Sequence, residues 1–409
     1  MKIGNAKTIY MTYNRYMFEL FERKRIYLDY ASATPVLPEA LCTMNDAQQF
    51  FANPGSIHAD GVRAQDILER ARASVALELG AKARQVVFTS GLTESNNLAI
   101  LGYARKLQYL KKSLGETHWI VSAIEHASVI EAFGELERMG GTVTFISPDQ
   151  SGLISASTLQ HALHLNTVFV SIGWGNNEIG IVQHLSQLSR IIHNQNENIL
   201  FHSDAGQAPL YLSPQVHTLG VDLLSLGSGK LYGPRGVGAL YVENPEKLEP
   251  IILGGGQEKG LRAGTEDPAL ATGFAKAFEI LSKERKTEAA RLLKLRDHLA
   301  HEITESVPGV AINGDLKHSL PHMLNISIPD ISSEYIVLAL DHAGMSISTK
   351  SACREGEKNE SHVVAALAVG KVDRWRAHNT LRISLGRGTD WRDCEKMAVM
   401  LSRVLRQKR

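Results

Sequence analysis

Ile199-Leu200-Phe201-His202-Ser203-Asp204 and, shortly after it, Leu223-Leu224-Ser225-Leu226-Gly227-Ser228-Gly229-Lys230 decide the fold. Each is a short apolar run that ends on polar residues. The apolar parts, Ile199–Ser203 and Leu223–Leu226, have the length of buried strands. Related runs, several with β-branched residues, lie upstream at Gln85–Thr89, Trp119–Ala123, Thr142–Ile146 and Val168–Ile172. Val237–Val242 follows downstream after a Gly/Pro turn. Helical spacing fills intervals between them, at Ala64–Leu79, Asn96–Leu110 and Ser186–Gln195. Strands alternating with helices predict an α/β fold, with a large mixed sheet, mostly parallel, covered by helices.

After Glu266 the texture changes. Pro268–Glu305 reads as a long helix rich in Ala, Leu, Lys and Glu. Met323–Ile328, Ser346–Ser348 and Thr380–Ser384 predict strands of a smaller α+β unit, closed by a helix from Arg392 to Leu405. The expected organisation is an extension at 1–25, a segment at 26–45 packing with the small domain, a large domain at 46–285 and a small C-terminal domain at 286–409.

Composition excludes several classes. The 409 residues are 44% hydrophobic and 21% charged, which is ordinary globular usage rather than disorder, collagen or coiled coil. Lys plus Arg number 44 against 43 Asp plus Glu, so no basic footprint for nucleic acid exists. No apolar run approaches the roughly 18 residues that span a bilayer. The extension carries Glu19 and Glu22, has no serine, and lacks the continuous apolar core of a signal peptide. Cys42, Cys353 and Cys394 are too few and too scattered for a disulfide framework or zinc cluster. They fit a reducing compartment, and a cytoplasmic location is expected.

In parallel α/β sheets, ligands gather at the carboxyl ends of strands. Five segments sit there. Thr89-Ser90-Gly91-Leu92-Thr93-Glu94-Ser95 opens a helix with small and hydroxyl residues, a setting for an anion. Glu125-His126, Asn176-Asn177-Glu178, Asp204 with Gln207, and Gly227-Ser228-Gly229-Lys230 follow the other strands. The last is no P-loop: Leu224 stands where its first glycine belongs, and Leu231 where Ser or Thr should follow the lysine. Singly, the aspartate reads as a helix cap and the histidine as a satisfied surface or core residue. Jointly, a lysine, an acid and a phosphate-type turn are the parts that hold pyridoxal phosphate.

From Ile26 onward the chain resembles the cysteine desulfurases, class V, fold-type-I pyridoxal-phosphate enzymes, in the group with the longer active-site loop. The matching strings include Asp29-Tyr30-Ala31-Ser32-Ala33-Thr34-Pro35, Phe88-Thr89-Ser90-Gly91, Asn176-Asn177-Glu178-Ile179-Gly180, Ser203-Asp204-Ala205-Gly206-Gln207, Lys230-Leu231-Tyr232-Gly233-Pro234, Arg262-Ala263-Gly264-Thr265, Ser351-Ala352-Cys353 and Leu381-Arg382-Ile383-Ser384. The resemblance implies conversion of L-cysteine to L-alanine with a persulfide left on Cys353. It implies that Lys230 carries the cofactor and moves protons, Asp204 pairs with the pyridine nitrogen and Gln207 bonds the ring hydroxyl. It implies that His126 stacks on the ring and helps proton transfer, and that Asn177 sits near the ring hydroxyl and the substrate carboxylate. Thr93 would hold the phosphate, with Thr265 reaching in from the second subunit of a homodimer. Arg382 would clamp the substrate carboxylate. The partner so implied is a sulfur acceptor, either an iron–sulfur scaffold or a tRNA-thiolation carrier.

Around Cys353 the residues support a mobile loop at 349–361: Arg354-Glu355-Gly356-Glu357-Lys358-Asn359-Glu360 is too polar to bury. Ser361 reads as the N-cap of a helix starting at His362, and Lys350 and Arg354 favour a thiolate at Cys353. Cys42 and Cys394 read as filler. The chain departs from the family pattern at Gly227 and Gly229, where serine and histidine are usual, and at Leu92, where alanine is usual. Ser228 is the remaining candidate hydroxyl for the cofactor. A selenocysteine lyase or another class V lyase or aminotransferase is the alternative within this chemistry. A degenerate, non-catalytic binding subunit is the alternative outside it.

Overall fold

The computed structural model describes residues 25–349, 360–367 and 373–408. The expectations for the N-terminal extension and for Cys353, with the charged residues after it, fall outside these described residues. Eight strands come first: β1 Ile26–Tyr27, β2 Val86–Thr89, β3 His118–Ser122, β4 Thr142–Ile146, β5 Thr167–Ser171, β6 Leu200–Asp204, β7 Leu223–Gly227 and β8 Gly238–Val242. Strands β2 to β8 form one seven-stranded sheet in the order β2-β8-β7-β6-β5-β3-β4. Neighbours from β7 to β4 pair in parallel. Only β8 runs against both its neighbours. Its link to β7 is too short for a crossover helix, so the chain turns back as a hairpin.

Strands β3, β6, β7 and β8 are buried along their whole length. That is why they do not alternate apolar with solvent-facing polar residues, and why the polar residues within them, such as His202 and Ser225, are paired inside the sheet. Successive side chains still point to opposite faces. Val86 and Phe88 join one core cluster, and Val87 between them joins the other. His202 pins three strands together inside this sheet: its ring nitrogens meet Ser171 Oγ at 2.8 Å and Ser225 Oγ at 3.0 Å. Burial drives its pKa down to about 3, so it is a neutral cross-strand bridge.

Helices α1 Pro38–Ala47, α2 Ala59–Leu79, α3 Leu92–Tyr109, α4 Ala127–Arg138, α5 Leu185–Gln195 and α6 Pro268–Ser306 cover the sheet or extend from it. Helix α6 starts where Pro268 presets the first turn and Asp267 Oδ1 accepts from the Ala269 and Leu270 N–H groups. It leads into β9 Ala311–Ile312, β10 Met323–Ser327, α7 Ser333–His342, β11 Met345–Ser346, α8 His362–Leu367, β12 Thr380–Ser384 and α9 Trp391–Lys408. Strands β12-β10-β9 form an antiparallel sheet. Strand β11 pairs in parallel with β1, Ile26 against Met345. Ser361 caps α8 by accepting from the Val364 N–H at 3.1 Å.

The two described cysteines part company. Cys394 is buried in α9, and burial, with Asp393 and Asp390 adding, pushes its thiol up to about 12. Cys42 corrects the filler reading: it is exposed on α1, whose buried positions are Ala40 and Ala47.

Candidate active site

The carboxyl ends of β2, β3, β5, β6 and β7 open into one cavity. Its lining includes Ser32, Leu92, Thr93, Glu125, His126, Asn177, Asp204, Gln207, Lys230 and Arg382. Lys230 closes a tight turn straight after β7, and its Nζ donates to the Ala31 and Ser32 carbonyls at 2.8 Å each. Those carbonyls come from the segment that β1 stitches to the C-terminal part of the chain. Gln207 Nε2 donates to the same Ala31 carbonyl at 2.9 Å, while its buried Oε1 has no partner among the described residues.

Asp204 ends β6. Its Oδ1 accepts from the Gly206 N–H at 2.8 Å and its Oδ2 from Asn96 Nδ2 at 2.7 Å. His126 is the N-cap of α4, and its Nδ1 accepts from the Ser128 N–H at 3.2 Å. Arg382, on β12, is 1% exposed. Its Nη1 donates to the Asn177 carbonyl at 2.9 Å, and its Nη2 to Asp29 Oδ1 at 2.8 Å and Ser32 Oγ at 2.5 Å. Its buried Nε has no partner among the described residues. A cation so held presents an unspent donor to an anion.

Two anticipated ligands lie elsewhere. Ser228 Oγ is buried and unpartnered among the described residues, and it stands where a side chain on Gly233 would go. Ser228 is not among the residues that line the cavity, and its Oγ packs beside Gly233 instead. Thr265 lines a separate cleft with Glu258, Arg262 and Asp267. Leu92 explains the glycine at 227: a side chain there would meet Leu92 Cβ at 2.9 Å, and one on Gly206 would meet Leu92 Cδ2 at 2.5 Å. An apolar wall fills that end of the cavity.

Sequence reasoning placed Glu125 at a strand end without giving it a task. Burial raises its carboxyl to about 8, against the hydrogen bond from the Gly173 N–H and with the Asp204 charge adding. The nearby segment is tied down on both sides: His362 Nε2 donates to the Glu125 carbonyl at 2.9 Å, and Ser361 Oγ to Glu178 Oε2 at 2.6 Å. An acid near 4.5 when unfolded and about 8 when folded stabilises the fold fully below pH 4.5. That contribution is lost as pH rises to about 8. Glu125→Gln, which mimics the neutral acid, is expected to flatten the decline in urea midpoint across this window. Equal declines in wild type and variant would mean that Glu125 is ionised in the fold.

The chain matches the aminotransferase class-V family over residues 26–397. It is 38% identical over 388 residues to the cysteine desulfurase IscS of Dictyoglomus turgidum, covering 95% of this chain and 96% of that one. A second desulfurase, IscS 1 of Archaeoglobus fulgidus, is 38% identical over 94% of this chain and 97% of its own. The chain belongs to the cysteine desulfurases of the class-V aminotransferases. Among solved structures, a NifS-like protein superposes with a TM-score of 0.86 at 30% identity, covering 94% of this chain and all (100%) of that one. A structure titled SspA in complex with cysteine gives 0.76 at 34% identity, covering 88% and 98%.

Enzymes of this family depend on pyridoxal phosphate, and the cavity fits it. An acid fixed at the sheet edge, a lysine amine and an orphaned glutamine oxygen surround one space, with the start of α3 at its end. The fit is thinnest where Gly227 and Gly229 replace polar side chains and Leu92 adds apolar bulk.

Proposed function

We propose that the cavity takes L-cysteine, releases L-alanine, and passes the sulfur to Cys353. The observation that carries this reading is the convergence of Lys230, Asp204 and Arg382 on one cavity. When bound, pyridoxal phosphate supplies an electron sink next to the substrate Cα. Asp204, braced by Asn96 and Gly206, holds a proton on the pyridine nitrogen. Gln207 Oε1 takes the ring hydroxyl, with Asn177 close by. Thr93 and the backbone at the start of α3 hold the phosphate, and Thr265 of a second copy in a homodimer completes that end. Arg382 orients the substrate through its carboxylate, and bidentate guanidinium suits the task. Lys230 Nζ would move the substrate Cα proton, and His126, on the same cavity, would stack on the ring and handle a second proton.

The Cys353 thiolate then attacks the substrate sulfur. An S–S bond forms, the Cβ–Sγ bond breaks, and its electron pair stays on the substrate carbon, which takes up a proton to give alanine. The persulfide goes to an acceptor protein of iron–sulfur assembly or tRNA thiolation. A thiol that must stay reduced between turnovers suits a reducing compartment such as the cytoplasm. The similar protein titled as a complex with cysteine supports the substrate class.

Brief exposure to L-cysteine followed by peptide mass spectrometry tests this. One extra sulfur is expected on Cys353 and none anywhere in Cys353→Ser. Sulfur on exposed Cys42 instead, or on no residue, would overturn the relay.

A further inference from the structure

Two buried side chains without an assigned task join Asp204 to His126. Asn96, on α3, has no exposed surface, and Ser128, near the start of α4, has almost none. Asn96 Nδ2 lies 2.7 Å from Asp204 Oδ2 and 2.9 Å from Ser128 Oγ. A carboxylate only accepts, so the amide must face it with its NH2 group. Both N–H groups of Asn96 are then spent, one on Asp204 and one on Ser128. Ser128 Oγ, already accepting, turns its own proton towards His126 Nδ1, 2.9 Å away. The Ser128 backbone N–H reaches the same nitrogen at 3.2 Å. Two donors meet at Nδ1, so that atom carries a lone pair, and the proton of the neutral ring sits on Nε2.

We infer that Asn96 and Ser128 are positioning residues that hold His126 as its neutral Nε2–H tautomer, with the direction of the hydrogen-bond chain set by the Asp204 carboxylate. The inference rests on the reading of the cavity as a pyridoxal-phosphate site in which His126 moves protons. Its consequence is a starting role. Held this way, His126 offers its Nε2–H as a hydrogen-bond donor, and its Nδ1 lone pair is engaged by the Ser128 hydroxyl and backbone N–H. It therefore begins the cycle as a neutral hydrogen-bond donor, and a proton leaves Nε2 only as Ser128 Oγ–H delivers another to Nδ1, since the ring would otherwise be left as imidazolate. Direction along the chain matters more than proximity. A hydroxyl at position 128 passes the orientation of the Asn96 amide on to the ring, and a methyl group cannot.

Long-range proton–nitrogen correlation spectra of the histidine rings test this on the full chain, with and without cofactor, using His126→Gln for assignment. In the wild type the proton is expected on Nε2 and the lone pair on Nδ1. In Ser128→Ala the Nδ1 resonance is expected to move towards that of an unbonded ring nitrogen. The kcat for cysteine should fall roughly tenfold, because the His126 ring loses the hydroxyl that fixes its tautomer, while KM stays within about twofold. Ser128→Thr restores the hydroxyl and should restore both the spectrum and kcat. A wild-type ring protonated on Nδ1 overturns the inference. So does a Ser128→Ala protein that loses thermal stability while the His126 spectrum and kcat stay unchanged, since that marks a structural role alone. Full activity in His126→Gln would remove the proton-transfer reading and leave the tautomer itself standing, and the spectra separate the two failures.

Discussion

Replacing Lys230 by alanine is expected to lower sulfide release from L-cysteine by at least about 10²–10⁴-fold, the range a positioned proton-transfer group contributes. The variant should also lose the borohydride-reducible attachment of the cofactor. The fold should survive. Lys230 is only partly buried, and its Nζ bonds to the Ala31 and Ser32 carbonyls are each worth about one ordinary hydrogen bond, so truncation leaves the fold standing. Lys230→Arg is expected to be as inactive as alanine. Guanidinium keeps its proton throughout the accessible pH range, so it can hold the same carbonyls but cannot serve as a base. Comparing the two variants separates chemistry from charge. Activity in Lys230→Arg within about tenfold of wild type would show that the amine acts as a charge only. Steady-state sulfide release and denatured-protein mass after borohydride are the measurements.

The features that made this site legible are local. Strands β3, β5 and β7 are built mostly of apolar residues because both faces are covered, and polar residues just beyond their carboxyl ends become the cavity wall. Strand β8 could not be oriented from its own residues: its direction follows from the short link to β7. The buried polar chain of Asn96 and Ser128 was illegible for another reason. On a helix, Asn and Ser look like solvent-facing positions, and only tertiary packing turns them inward. For Ser228 the sequence reports that a hydroxyl is near, and only the structure shows it beside Gly233 rather than in the cavity lining. Cys42 misled through apolar neighbours on a helix that buries only Ala40 and Ala47. Leu92 was visible as a departure, but its meaning needed the positions of Gly206 and Gly227, which lie on other strand ends.

The largest stability effect is expected at a pair that no local pattern reveals. Arg72 on α2 and Glu258, 186 residues apart, form a bidentate ion pair: Nη1 to Oε2 at 2.5 Å and Nη2 to Oε1 at 2.7 Å. Their side chains are 3% and 1% exposed. Arg72 Nη1 also donates to the Val86 carbonyl, its Nε donates to Glu69, and the guanidinium lies 4.9 Å above the Phe88 ring. The Phe88 N–H donates to Glu258 Oε2 at 2.8 Å, so the pair reaches directly into β2. It also holds strained backbone, because Glu258 and Lys259 sit at φ 47° and 59°, where side chains are disfavoured. Arg72→Ala leaves a carboxylate buried without its cation, and a loss of about 3–5 kcal/mol in unfolding free energy is expected. Arg72→Met with Glu258→Gln removes both charges and keeps most of the volume, so it should recover much of that loss. The single variant should also release the segment after β8, which carries Thr265 in the same cleft as Glu258. If Thr265 holds the phosphate of a second copy, cofactor retention on dilution falls in Arg72→Ala and returns in the double variant. Urea midpoints for the three proteins decide the energetic claim. A single variant within about 1 kcal/mol of wild type would mean that water reaches this pair, in which case it is worth no more than a surface bridge.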